Sequence, residues 1–137
     1  MILADSSVWI DLLNGRITPQ TAVLRRARTI NQPIAVADLV LTEVLQGTRN
    51  EDEFLKALRL FSVYVPVTIV DQSIAVQAAR NYQVLRAKGV TIRKTVDTLI
   101  ATRCIIDRIP LLYVDRDFDP FVTHLGLRSA LDDTGAT

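Results

Sequence analysis

Four acidic residues lie within or beside apolar segments, where packing alone would favour hydrophobic side chains. Asp5 and Asp115 each follow a short apolar run, and Glu43 and Asp97 lie inside apolar stretches. An ionised carboxylate removed from water is costly unless it is paired or bound to a metal. Since Mg²⁺ and Mn²⁺ prefer oxygen ligands, we predict that the four carboxylates share a divalent cation. Such a cluster is suited to metal-assisted hydrolysis of phosphodiester bonds.

Each of these acids also has a purely structural interpretation. Asp5 precedes two serines and is a possible helix N-cap, while Glu43 is a possible partner for a buried arginine. Asp97 would be favoured by the dipole of a helix that begins just before it. The run 115–120 has the composition of an Asp-rich turn. Because four independent structural causes would be needed, one shared site is the simpler hypothesis.

The composition indicates a folded protein of one domain. Of its 137 residues, 49% are hydrophobic, which predicts a domain over residues 1–130 and a polar C-terminal tail over 131–137. The single Cys104 fits a reducing cytoplasm, and the single His124 excludes zinc sites built on several histidines. We expect no secretory signal and no membrane span, since no apolar run approaches roughly 18 residues.

Short apolar runs alternate with helical patterns along the chain. This alternation predicts an α/β sandwich with a mainly parallel sheet. In such sheets the functional site lies beyond the carboxyl ends of the strands, which is where Asp5 and Asp115 are expected. Five strands are predicted, at 1–4, 34–37, 64–67, 111–114 and 127–130.

Three other kinds of site fit the sequence less well. A P-loop needs a glycine-rich loop that ends in Gly-Lys-Ser/Thr, and a dinucleotide site needs Gly-x-Gly-x-x-Gly; the sequence contains neither. A phosphoaspartate site would need a lysine near a later strand end. The three lysines are instead expected on helices or loops, at Lys56, Lys88 and Lys94.

The basic residues are dominated by arginine, since only three of the sixteen are lysine. Arginine is the better bidentate ligand for phosphate. If the four acids and Asp117 serve a metal site, ten acidic residues remain against sixteen basic ones, which would suit a polyanionic substrate. Solvated helix faces explain the same arginines equally simply.

Four segments resemble, in order, the acidic motifs of PIN domains. They are 2–11, 41–47, 95–101 and 111–118. The resemblance extends over residues 1–129, and the length resembles that of VapC, the toxin of VapBC toxin–antitoxin pairs. It implies a three-layer α/β/α sandwich and a Mg²⁺- or Mn²⁺-dependent endoribonuclease. It also implies a homodimer that a VapB-type antitoxin inhibits.

The resemblance also assigns roles to individual residues. Asp117 would be an auxiliary catalytic acid, and Ser7 would be a substrate-binding residue that helps to orient the site. The core acidic, metal-binding set would be Asp5, Glu43, Asp97 and Asp115.

Arg93 and Lys94 precede the helix that carries Asp97. We interpret them as contacts to the RNA backbone, with solvated loop charges as the alternative. Two other functions are considered: a PIN-like module that binds RNA or protein without cleavage, and a DNA-directed 5′ nuclease. The latter usually carries extra helical segments, for which 137 residues leave little room. A metal-dependent cleavage assay separates the enzyme from the binding module.

The helix expected over 38–46 and the one after Asn50 are rich in apolar residues. A small monomer has limited capacity to bury them, and exposed apolar patches mark partner surfaces. We therefore predict a homodimer through this region, or an antitoxin segment that covers it. The residues expected in the patch are Leu39, Leu41, Phe54, Leu58 and Phe61.

Overall fold

The computed structural model describes the backbone of residues 1–135 and the side chains of residues 1–132. Its four strands are β1 (Ile2–Ala4), β2 (Ile34–Ala37), β3 (Val65–Val67) and β4 (Leu111–Leu112). Its α-helices are α1 (Ser6–Leu13), α2 (Pro19–Thr29), α3 (Asp38–Gln46), α4 (Glu51–Phe61), α5 (Gln72–Ala87), α6 (Thr95–Asp107), α7 (Asp119–Leu125) and α8 (Ala130–Gly135). A 3₁₀ helix over Arg116–Phe118 precedes α7.

The four strands form a parallel sheet in the order β3-β2-β1-β4. Leu3 lies opposite Ala35 on one side and Leu111 on the other, and Val36 lies opposite Pro66. Every residue of β1, β2 and β4 is buried, as expected for a sheet covered on both faces. The predicted α/β sandwich with a mainly parallel sheet is therefore confirmed, and the carboxyl ends of all four strands lie at one edge.

One hydrophobic core joins the sheet to the helices that cover it. Trp9 of α1 packs edge-on against Phe61 of α4, with ring centroids 5.0 Å apart. Phe118 and Phe121 are fully buried after β4, so the segment that follows Asp115 is anchored in this core. No helix within residues 1–135 is long and apolar enough to span a membrane.

Side-chain caps fix the starts of three helices, α2, α4 and α5. The Thr18 and Thr21 side chains each accept a hydrogen bond from the other's backbone amide, at 3.0 and 2.9 Å. Asn50 accepts from the amide of Glu53, and Asp71 accepts from that of Ile74.

Asp38 has the chemistry of an N-cap, but it is the first residue of α3, and Ala37 occupies the N-cap position. Its carboxylate accepts hydrogen bonds from the amides of Leu39 and Ile69, at 2.8 and 3.0 Å. The bond from Ile69 ties the start of α3 to the segment that follows β3.

The C-terminal part differs from the prediction. The strand predicted over 127–130 is wrong: Ser129 forms a single parallel bridge with Leu111. Because β4 spans two residues, it is too short to pair with a full strand over 127–130. The tail expected over 131–137 is helical as far as Gly135, and residues 136–137 lie outside the described part of the chain.

We expect Thr18→Ala to destabilise the fold by about 1 kcal/mol, because the amide of Thr21 loses its cap. Thr18→Ser keeps the hydroxyl and serves as the matched control. Urea unfolding of both variants measures the difference. Equal stability of Thr18→Ala and the wild type would contradict a role for this cap.

Candidate active site

Asp5 lies at the carboxyl edge of the sheet, directly after β1. Its amide donates to the carbonyl oxygen of Leu112 at 2.9 Å, so β1 and β4 hold its backbone. Helix α1 begins at Ser6, so Asp5, and not Ser6 or Ser7, occupies its N-cap position, although no side chain in the described part of the chain caps the helix there. The Asp5 carboxylate is 5% exposed and accepts a hydrogen bond from the Ser7 hydroxyl at 3.3 Å. Ser7 therefore orients Asp5.

The closest acidic group consists of Asp97, Asp115 and Asp117. One carboxylate oxygen from each lies within 4.8 Å of the others. Asp97 lies in the first turn of α6, and the other two flank the start of the 3₁₀ helix. The Asp115 carboxylate accepts from the Asp117 amide at 2.9 Å, which fixes the loop after β4. The structure thus brings together three of the acids singled out in the sequence.

Glu43 reaches the same region from α3, which begins directly after β2. Its side chain is half-buried, and burial, followed by the negative charge of Asp5, raises its pKa. Within the described residues, Asp5 and Glu43 do not belong to the 4.8 Å group. Both nevertheless lie near enough for their charges to raise the pKa of Asp97.

Three buried carboxylate oxygens in this cluster accept no hydrogen bond from any residue that the structure describes. They are Asp5 Oδ1, Glu43 Oε1 and Asp97 Oδ2. No arginine in the described part of the chain forms an ion pair with Glu43, which removes the buried-pair interpretation. Unsatisfied buried oxygens are costly. An all-oxygen donor set of this kind fits a hard divalent cation.

Burial and mutual repulsion raise the pKa values of the cluster. The pKa of Asp97 rises to about 7, first because of burial and then because of the charge of Asp5. Burial also raises the pKa of Asp5, and the amides of Ser6 and Ser7 oppose this. The pKa of Glu43 is raised chiefly by burial. The fold therefore holds carboxylates together at an energetic cost that a cation would offset.

Two basic residues border the cluster, as the sequence suggested. The Arg93 guanidinium lies 3.2 Å from Asp117 Oδ2, and its side chain is 79% exposed. The positive charge of Lys94 opposes the rise in the pKa values of Glu43 and Asp97. Both cations are thus placed beside the acids and remain accessible from solvent.

The sequence did not place Ser6 in the site, yet a hydrogen bond from its side chain opposes the burial that raises the pKa of Glu43. Two further acids near these motifs pair outside the cluster. Asp11 pairs with Arg16 on the helix surface at 3.2 Å. Asp119 accepts a hydrogen bond from the Tyr113 hydroxyl at 2.8 Å.

This arrangement of acids at the carboxyl edge can be compared with known families. The family model described as PIN domain matches residues 2–121. The chain belongs to the PIN domain family. The match includes all four acidic motifs, so the resemblance drawn from the sequence is confirmed.

Two solved structures resemble this PIN domain. A toxin–antitoxin complex from Klebsiella pneumoniae is 21% identical, with a TM-score of 0.68. VapBC2 from Rickettsia felis, bound to a DNA fragment from its promoter, is 19% identical, with a TM-score of 0.73. Each comparison covers 94% of this chain and 97% of the other. At these sequence identities, the similarity shows a shared fold.

We expect Asp97→Asn to stabilise the metal-free protein at pH 8 by at least about 1 kcal/mol. The native pKa of about 7 lies above the unfolded value of about 3.9. The native state therefore binds more protons between these values, and wild-type stability falls as the pH rises from about 4 to about 7.

Urea unfolding of both proteins in a chelating buffer, at pH 5 and pH 8, measures this effect. The advantage of Asp97→Asn should shrink at pH 5, where the wild-type carboxyl group is protonated. An advantage of equal size at both pH values would contradict the assignment of the effect to Asp97.

Proposed function

We propose that this PIN domain is the toxin of a VapBC-type toxin–antitoxin pair. It acts as an endoribonuclease that hydrolyses RNA phosphodiester bonds with Mg²⁺ or Mn²⁺. The observation that carries the proposal is the convergence of buried carboxylates whose oxygens lack partners among the described residues. The two structural neighbours, both from toxin–antitoxin complexes, support it.

The cation would be held by the acidic cluster. Asp5, Glu43, Asp97 and Asp115 are the proposed ligands, and Asp117 is the auxiliary acid beside them. A bound divalent cation supplies Lewis-acid polarisation of the phosphate and makes a water nucleophilic near neutral pH. Because Asp97 has a pKa of about 7, it carries a proton in about half of the metal-free molecules near pH 7. Cation binding must therefore release protons.

The remaining residues hold the acids and the substrate. The Ser7 hydroxyl restrains the carboxylate of Asp5, which keeps one oxygen directed at the cluster. Arg93 and Lys94 border the cluster and would contact the RNA backbone, since phosphate contacts set the register of a nucleic acid on a protein. Arg93 pairs with Asp117 while most of its side chain faces solvent. It can therefore bind a phosphate and still neutralise part of the cluster's charge.

The alternative is a PIN-like module that binds RNA or protein without cleavage. Such a module has no need for buried acids that repel one another. Replacing them with neutral side chains would remove the desolvation cost without affecting binding elsewhere. The partnerless oxygens therefore favour the nuclease.

We expect Asp5→Asn and Asp97→Asn each to lower RNA cleavage by at least about a hundredfold, since several kcal/mol of cation-dependent stabilisation are lost. Asp11→Asn is the matched control, because Asp11 belongs to the same sequence segment but pairs with Arg16 on the surface. Cleavage of a mixed RNA pool in Mg²⁺ and in Mn²⁺ measures the effect, and circular dichroism checks the fold.

Full activity of either site variant would contradict the proposed site. Equal loss in Asp11→Asn would indicate a general effect of charge on RNA binding. Cleavage by the wild type that persists in a chelator would contradict the requirement for a metal.

The proposed partners are a second copy of the chain and a VapB-type antitoxin. The structure corrects the predicted apolar patch, because Phe61 is 6% exposed and Leu39 and Leu41 pack against the core. What remains exposed is the outer face of α4, formed by Phe54, Leu55 and Leu58. We refer to these three residues as the α4 patch, and we assign it to the homodimer interface.

We expect Leu58→Lys to convert a dimer into a monomer, because a charge would be buried in an apolar interface. Val84→Lys is the matched control, since Val84 of α5 and Leu58 are both 42% exposed. Light scattering over a range of concentrations measures the mass. A wild type that stays monomeric at high concentration, or a Leu58→Lys variant that stays dimeric, would contradict this interface.

A further inference from the structure

A chain of polar side chains joins α5 to the helix that carries Asp97. Gln77 Nε2 donates to Asn81 Oδ1 at 2.9 Å, and Asn81 Nδ2 donates to Thr102 Oγ1 at 3.0 Å. The Thr102 hydroxyl in turn donates to the carbonyl oxygen of Thr98 at 2.7 Å. The chain thus ends on the residue that directly follows Asp97 in the first turn of α6.

Packing alone does not explain this chain. Asn81 and Thr102 are buried between α5 and α6, where apolar side chains would cost less. Asn81 shares the buried face of α5 with Ile74, Ala78 and Leu85. A fully satisfied buried network gives rigidity and a defined geometry, which an apolar contact does not supply.

The first turn of α6, like those of α1, α3 and α7, has no capping side chain within residues 1–132. Its N-cap is Lys94, and no side chain of the described residues caps the helix there. The starts of α2, α4 and α5, in contrast, are each fixed by a capping side chain. A restraint on this turn comes from the Thr102 hydroxyl, which binds the Thr98 carbonyl and is itself held by Asn81 of α5.

Electrostatic repulsion acts on the same turn. The charges of Asp5, Asp115 and Glu43 all raise the pKa of Asp97, so they oppose its ionised form. An uncapped first turn can relieve such repulsion by moving outward. A hydrogen-bonded anchor on the Thr98 carbonyl resists that movement and keeps the Asp97 oxygens in place.

We propose that Asn81 and Thr102 are positioning residues that fix the first turn of α6 and thereby set the cation affinity of the acidic cluster. The inference rests on the proposed function. The two residues act through the backbone of Thr98 and therefore on the placement of Asp97. They resemble the outer hydrogen-bond partners that orient the ligands of other metal sites.

The test is Mn²⁺ binding by isothermal titration calorimetry on the full chain at fixed pH. Thr102→Val is nearly isosteric and removes the hydroxyl, and we expect it to weaken Mn²⁺ binding about tenfold. Thr102→Ser keeps the hydroxyl and should restore most of the affinity. In RNA cleavage at saturating Mn²⁺, Thr102→Val should lower kcat more than it changes KM.

A merely structural role would lower the Tm without changing the affinity of the folded protein for Mn²⁺. Thr18→Ala is therefore the second control, since it destabilises α2 through its cap and should bind Mn²⁺ as the wild type does. Thr102→Val with wild-type affinity, or Thr18→Ala with an equal loss, would overturn the positioning role. A wild type that binds no Mn²⁺ would overturn the proposed function itself, and the positioning role with it.

Discussion

Mutual repulsion among desolvated carboxylates is the constraint on which the arrangement of this PIN domain depends. The acids lie directly after β1, on α3, on α6 and in the segment after β4. The negative charge of each acid opposes the approach of the others. The parallel sheet forces the approach, because buried strands end together at one edge. Lys94 and Arg93 reduce the repulsion from outside. The Ser7 hydrogen bond restrains the Asp5 side chain, and the Thr102 hydrogen bond restrains the first turn of α6. Both limit movement away from the repelling charges.

Much of this could be predicted from the sequence, because the relevant signals are local. Asp5 follows a fully apolar run, and a buried parallel strand reads as such a run. Helix starts at Thr18, Asn50 and Asp71 carry capping residues whose chemistry is unambiguous. The place of Asp117 in the closest acidic group was harder to predict from the sequence. It depends on how the 3₁₀ helix turns after β4, and tertiary packing of Phe118 decides that turn.

Other features depended on partners distant in sequence. Leu39, Leu41 and Phe61 have the composition of an exposed patch, but α1, α3 and α4 pack together and cover them. The sequence carries a signal for the buried network between α5 and α6, although the motifs do not include it. Asn81 falls seven residues after Ile74 and four before Leu85, on the apolar face of α5, and a polar residue at such a position must find a partner. Thr98 and Thr102 lie one helical turn apart in α6 and mark where that partner lies.

The placement of Pro66 has a consequence for how copies of this protein meet. β3 is an edge strand of the sheet, and Val65 is 43% exposed beside Pro66. Proline has no backbone N–H, so this edge offers an interrupted row of donors to any additional strand. The opposite edge, at β4, is short and partly covered by the bridge to Ser129. Sheet extension from one molecule to the next is thus discouraged at both ends, which favours helix-mediated, closed assemblies over fibrillar growth when the protein accumulates.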